Sequence, residues 1–155
     1  MAYKKWTRSG DQLRNDPKCD SRLAAKFVNC MMWSGKKSVA QLLSEAASAV
    51  PFMSMTELST RLASRQNDLV VLDVREKDAY DAGHLPGAMF LPRGQLELRV
   101  NEAFPDPTVR IVVICEFGKI STLAAATLRS LGFTHAAALD GGMKAWREAG
   151  FAVET

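Results

Sequence analysis

A chain of 155 residues, 47% hydrophobic and 24% charged, can bury a sizeable core and reads as one domain with an appendage. No run approaches the roughly 18 apolar residues of a membrane span, and Lys4 and Lys5 are followed by no apolar stretch, so neither a span nor an export signal is expected. The net charge of +3 is uneven: residues 1–50 hold nine Lys/Arg against four Asp/Glu (+5), and residues 51–155 hold eleven against thirteen (−2).

A basic arm on a mildly acidic body is the pattern of a nucleic-acid or acidic-surface contact, although a solvated basic face is the more common explanation. The three cysteines, 19, 30 and 115, are an odd count without a close pairing motif, which points to a reducing cytoplasm. With the two histidines they show no metal-ligand spacing, so no metal and no cofactor are expected.

Residues 1–17 are polar and basic, and Asp16-Pro17 reads as a turn. Leu23, Phe27, Val28 and Met31 predict an amphipathic helix over 21–32, broken at Ser34-Gly35. Val39, Leu42, Leu43, Ala46 and Val50 then share one face of a second helix, begun at Ser38 and ended before Pro51. Residues 1–50 are therefore an arm shaped as a helical hairpin, and 51–155 a separate domain.

From Pro51 strand and helix signals alternate. A short strand is predicted over 53–55, then a helix over 57–64 capped by Ser54 or Thr56. The continuous apolar run 69–74 is a buried strand. A helix over 77–82, a short strand over 88–91 and a helix over 95–103 follow. Arg110 to Ile114 is a further buried strand, 122–131 a helix closed by Gly132, and 135–139 the last strand. Gly141 and Gly142 precede a final helix over 143–148. This alternation implies an α/β fold, a parallel sheet with helices on both faces, in which ligands bind beyond the carboxyl ends of strands.

Cys115 occupies such an end, before a glycine-containing loop and an alanine-rich helix. Helix N-terminal amides lack intrahelical partners and carry the positive end of the dipole, the setting of a reactive thiolate. A small strand-end residue that merely packs fits the same position.

Four motifs occur in family order: Leu72-Asp73-Val74-Arg75-Glu76, Gly83-His84-Leu85-Pro86-Gly87-Ala88, the loop after Cys115, and Leu139-Asp140-Gly141-Gly142-Met143-Lys144-Ala145-Trp146. Over residues 52–155 the chain resembles the single-domain rhodaneses. The resemblance implies a five-stranded parallel sheet and a sulfurtransferase in which Cys115 takes sulfane sulfur as a persulfide and passes it on. The implied partners are a small-molecule sulfur donor, thiosulfate or another persulfide or polysulfide, and a thiol or protein acceptor. In such a site the backbone amides of residues 116–121 point inward to hold the thiolate, the persulfide and a substrate anion. The loop Glu116, Phe117, Gly118, Lys119, Ile120 and Ser121 would bind substrate. Gly118 would let it bend, and Ser121 and Thr122 would either donate hydroxyls or cap the following helix. Asp73 and Arg75 match positions that brace the site. His84 reads as a turn histidine, His135 as solvent-facing or structural, and Trp146 as packing for the last helix.

Two positions depart from the family pattern. Where many members carry arginine before the loop-closing serine, this chain has Ile120, and Glu116 adds a carboxylate beside the nucleophile, offset by Lys119. Weak thiosulfate affinity follows, and Phe117 favours a bulkier or less charged donor, or a protein persulfide. Related phosphatases place an arginine where Ser121 stands, so phosphate-ester chemistry is not expected. The alternative is a catalytically weak rhodanese module that binds protein or RNA.

Residues 13–45, with Lys18, Lys26, Lys36 and Lys37, resemble the start of the seventh protein of the bacterial small ribosomal subunit. That family's segment contacts ribosomal RNA. A captured hairpin that caps the domain or sits loosely beside it is the expectation preferred over RNA binding.

Overall fold

In the computed structural model the described residues are 37–64 and 69–155. The chain divides into two compact units, residues 1–44 and 45–155. Of the first, the described part is 37–44, within helix α1 (Lys37–Ala49). The expected helix over 21–32 and the turn at Asp16-Pro17 lie outside the described residues. Helix α1 ends before Pro51, as expected, but its apolar face is only partly covered: Ala46 and Val50 are buried while Val39 and Leu42 are exposed.

Residues 45–155 carry a five-stranded, wholly parallel sheet: β1 (Phe52–Met53), β2 (Leu69–Asp73), β3 (Met89–Phe90), β4 (Arg110–Ile114) and β5 (Ala136–Leu139), ordered β1-β5-β4-β2-β3. The helices are α2 (Met55–Ala63), α3 (Lys77–Asp81), α4 (Leu96–Ala103), α5 (Lys119–Ser130) and α6 (Gly142–Glu148); a 3-10 turn, Arg93–Gln95, leads into α4. The expected architecture is therefore observed.

Element ends differ where capping chemistry decides them. Strand β1 starts at Phe52, and Ser54 accepts from the Glu57 amide at 3.2 Å, so α2 begins at Met55 rather than Glu57. Strand β3 is two residues long rather than four. Helix α5 starts at Lys119, three residues before the expected Thr122, because Gly118 adopts φ +83° and turns the chain directly from loop to helix.

The sheet buries two faces by strict alternation. Ile111 and Val113 join Leu72, Leu96, Val100, Ala125 and Leu128 on the α4/α5 side. Val112 and Ile114 join Leu58, Leu85, Met143 and Trp146 on the other. Strands buried on both sides account for the unbroken apolar runs at 69–72 and 111–114. Strand β2 continues to β3 on one side of the sheet and β4 to β5 on the other, so the direction of winding reverses between β2 and β4. The carboxyl ends there form the crevice where such sheets bind ligands.

Among the described residues no helix is long and apolar enough to cross a membrane.

Candidate active site

Cys115 follows β4 at this crevice and is 2% exposed. Its Sγ receives the Ser121 backbone N–H at 3.2 Å. Ser121 is the third residue of α5, whose first amides have no intrahelical acceptor, so the sulfur occupies the place of a capping acceptor. The thiol donates to Ser121 Oγ at 3.4 Å. Both loop hydroxyls turn away from the sulfur as donors: Ser121 Oγ donates to the Gly118 carbonyl at 2.9 Å and Thr122 Oγ1 to the same carbonyl at 2.7 Å. In this arrangement neither hydroxyl donates to Cys115 or accepts an amide as a side-chain cap. Ser121 N is the loop amide placed on the sulfur.

Asp73 and Arg75 stand at the end of the neighbouring strand, where β2 pairs in register with β4, Asp73 beside Ile114. Asp73 is fully buried and Arg75 nearly so. The guanidinium grips the carboxylate in a fork, Nη2 to Oδ2 at 2.7 Å and Nε to Oδ1 at 3.0 Å. Nη2 also donates to the Gly83 carbonyl at 2.7 Å, and Nη1 reaches Glu116 Oε2 at 3.2 Å. Burial works against the Arg75 charge, but the hydrogen bonds and charges of Asp73, then of Glu116, outweigh it and hold the guanidinium above its ordinary range. The pair is buried and reaches the loop through Glu116.

Glu116 has its second oxygen on Arg147 Nη2 of α6. Its charge is therefore matched by Arg75 and Arg147. The expected offset by Lys119 is replaced by two guanidiniums that only the tertiary structure brings together; Lys119 is exposed. Arg147 was not legible as a site residue, because nothing in the spacing of α6 points to a loop 31 residues earlier.

Helix α6 also holds the loop by its backbone. Met143 N donates to the Cys115 carbonyl at 2.9 Å and Lys144 N to the Glu116 carbonyl at 3.0 Å. Gly142, at φ +65°, permits this approach: a Cβ there would stand 2.6 Å from the Cys115 oxygen and 2.7 Å from the Gly118 nitrogen. Gly142, placed from the sequence only ahead of the final helix and within a motif, is where two backbones touch.

Phe117 and Ile120 are exposed at 64% and 51%, an apolar rim beside the buried sulfur. His84 bonds the Tyr80 carbonyl through Nδ1 at 3.1 Å, stacks on the Tyr80 ring and bridges to Glu154. His135 is exposed. Trp146 is buried under the sheet with Nε1 donating to the Ala152 carbonyl at 2.9 Å. Cys19 and Cys30 lie outside the described residues. Among the described residues no group of three or more His, Cys, Asp or Glu is placed to hold a metal.

The model of the rhodanese-like domain matches residues 54–149, and the chain belongs to that family. It is 35% identical to YrkF of Bacillus subtilis (strain 168) over 103 residues, 66% of this chain and 54% of that protein, so it spans about half of that relative's length. It is 39% identical to the thiosulfate sulfurtransferase GlpE of Pseudomonas entomophila (strain L48) over 87 residues, 56% of this chain and 77% of that one. The fold superposes on the human single-domain sulfurtransferase TSTD1 with a TM-score of 0.56 at 30% identity, covering 64% and 96% of the two chains. A Rhodopseudomonas palustris protein of unknown function, described as a possible tyrosine phosphatase, gives 0.71 at 28% identity, covering 75% and 93%. The resemblance of residues 13–45 to the ribosomal protein finds no support in these comparisons.

Proposed function

We propose that the protein is a rhodanese-type sulfurtransferase whose residues 51–155 carry sulfane sulfur on Cys115. The observation that carries this reading is the Ser121 N–H on Cys115 Sγ at 3.2 Å, at the mouth of α5. It rests also on the family and on sulfurtransferase relatives such as GlpE.

In the first half-reaction the Cys115 thiolate attacks the outer sulfur of the donor. The bond from that sulfur to its carrier breaks, the carrier leaves with the electron pair, and Cys115 holds a persulfide. In the second, a nucleophilic acceptor attacks the outer persulfide sulfur and the Cys115 thiolate departs. Splitting one transfer into two displacements is the gain from a covalent intermediate. The Ser121 N–H at the start of α5 is a donor for the sulfur that attacks in the first step and departs in the second. Asp73, Arg75 and Glu116 position the loop and contact no reacting atom.

Phosphate-ester hydrolysis is disfavoured although one structural relative is described as a possible phosphatase. Ser121 stands where a phosphate-clamping arginine would be, and Arg75 and Arg147 are both engaged by Glu116.

Intact-protein mass spectrometry after treatment with a sulfane donor tests the proposal. The wild type and a Cys19→Ser, Cys30→Ser variant should each gain one sulfur atom, and Cys115→Ser none. Equal loading of the Cys115 variant would remove the assignment.

A further inference from the structure

We infer that the preferred donor is a monoanionic organic persulfide with an apolar body rather than the small dianion thiosulfate. This rests on the sulfur-transfer reading above and names the substrate class of the same site.

Three observations carry it. First, the two guanidiniums at the loop are matched by carboxylates, which leaves the exposed single charge of Lys119 as the cation of the loop itself. Arg75 and Arg147 face Asp73 and Glu116, two cations against two carboxylates, with Arg75 buried and held on three acceptors. A dianion would have to displace Glu116 to gain a bidentate guanidinium contact. Second, the hydroxyls at the helix mouth are committed to the Gly118 carbonyl, so sulfonate oxygens find no Ser121 or Thr122 O–H directed to them.

Third, the rim is apolar. Phe117, two residues past the nucleophile, and Ile120, adjacent to the residue that binds Sγ, are exposed at 64% and 51%. Lys144 Nζ lies 6.0 Å from the Phe117 ring centroid and also pairs with Glu148 at 3.7 Å. A single negative charge next to an apolar body matches one partly neutralised ammonium beside an aromatic ring. A compact dianion leaves the rim unused.

The step balances as written. The Cys115 thiolate attacks the terminal sulfur of R–S–S⁻, the S–S bond of the donor breaks, R–S⁻ leaves with the electron pair, and Cys115–S–S⁻ forms. No external oxidant or reductant is involved.

The test uses the full chain with thiosulfate and with benzyl persulfide generated in situ, following Cys115 loading by rapid-quench mass spectrometry. Wild type should load from benzyl persulfide with a second-order rate constant at least about tenfold above that for thiosulfate. A Phe117→Ala, Ile120→Ala variant should lower this ratio about tenfold, the discrimination available to apolar contacts of this size. Both side chains are exposed, and circular dichroism checks that the variant is folded. Equal rates from the two donors in wild type, or an unchanged ratio in the variant, would overturn the inference while leaving sulfur transfer intact. Failure of both donors to load Cys115 would instead overturn the sulfur-transfer reading.

Discussion

Arg75 Nη1 and Glu116 Oε2 stand 3.2 Å apart across 41 residues of sequence. The contact exists because β2 and β4 are in register at Asp73 and Ile114, which sets Arg75 and Glu116 each two residues beyond the last paired positions. Their meeting turns an acidic residue beside the nucleophile from a repulsive charge into a tie between the loop, β2 and α6.

The Glu116–Arg147 contact should be measurable as a coupling. A double-mutant cycle of Glu116→Gln and Arg147→Met, read by urea unfolding, is expected to give about 0.5–1 kcal/mol, since both side chains are partly exposed. A coupling of zero would mean that Arg75 alone holds the carboxylate.

Gly142→Ala should be severe. The added Cβ meets backbone atoms of the cysteine loop at 2.6–2.9 Å, and φ is +65°. Strain and overpacking together predict about 3 kcal/mol of lost stability and slowed loading of Cys115. Gly94→Ala, where nothing lies within 4 Å, should stay within about 0.5 kcal/mol of wild type in the same thermal melts.

Placing a guanidinium on the rim should help the small dianion. Ile120→Arg is expected to lower the thiosulfate KM about fivefold, about 1 kcal/mol for an exposed charge with no carboxylate of its own to engage. An unchanged KM would show that rim charge does not set donor preference.

Tyr80 makes the alkaline side of the stability curve informative. Burial, then the negative charge of Asp73, raises its phenol above the ordinary value, while its hydroxyl donates to the Ala88 carbonyl at 2.6 Å. The folded state therefore prefers the protonated phenol. Its contribution is fully present below the unfolded value of about 10 and is lost as pH rises through the folded value. Spectrophotometric titration should find one phenol ionising late, and Tyr80→Phe should remove that component and flatten the alkaline loss of stability.

Much was legible from local chemistry. The buried runs at 69–72 and 111–114, the alternation of strands and helices, and the cysteine at a strand end all rest on side-chain period and on the unpartnered amides of a helix start, which neighbouring residues determine. Gly118 was read as the bend of the loop and adopts φ +83°. The order of motifs around Cys115, Asp73 and Arg75 was enough to indicate the family.

What the sequence could not show is which charges meet. Lys119, three residues from Glu116 in the chain, was the natural counter-ion, yet Arg75 and Arg147 take that place because strand register and the seating of α6 carry them there. The same packing set Gly142 against the cysteine loop and committed the Ser121 and Thr122 hydroxyls to one carbonyl. Periodicity and caps are properties of a few adjacent residues, so the chain alone determined the sheet, the helix and the place of the sulfur. Ion pairs and backbone contacts between distant segments depend on distances of a few ångströms, and only the folded structure decided them.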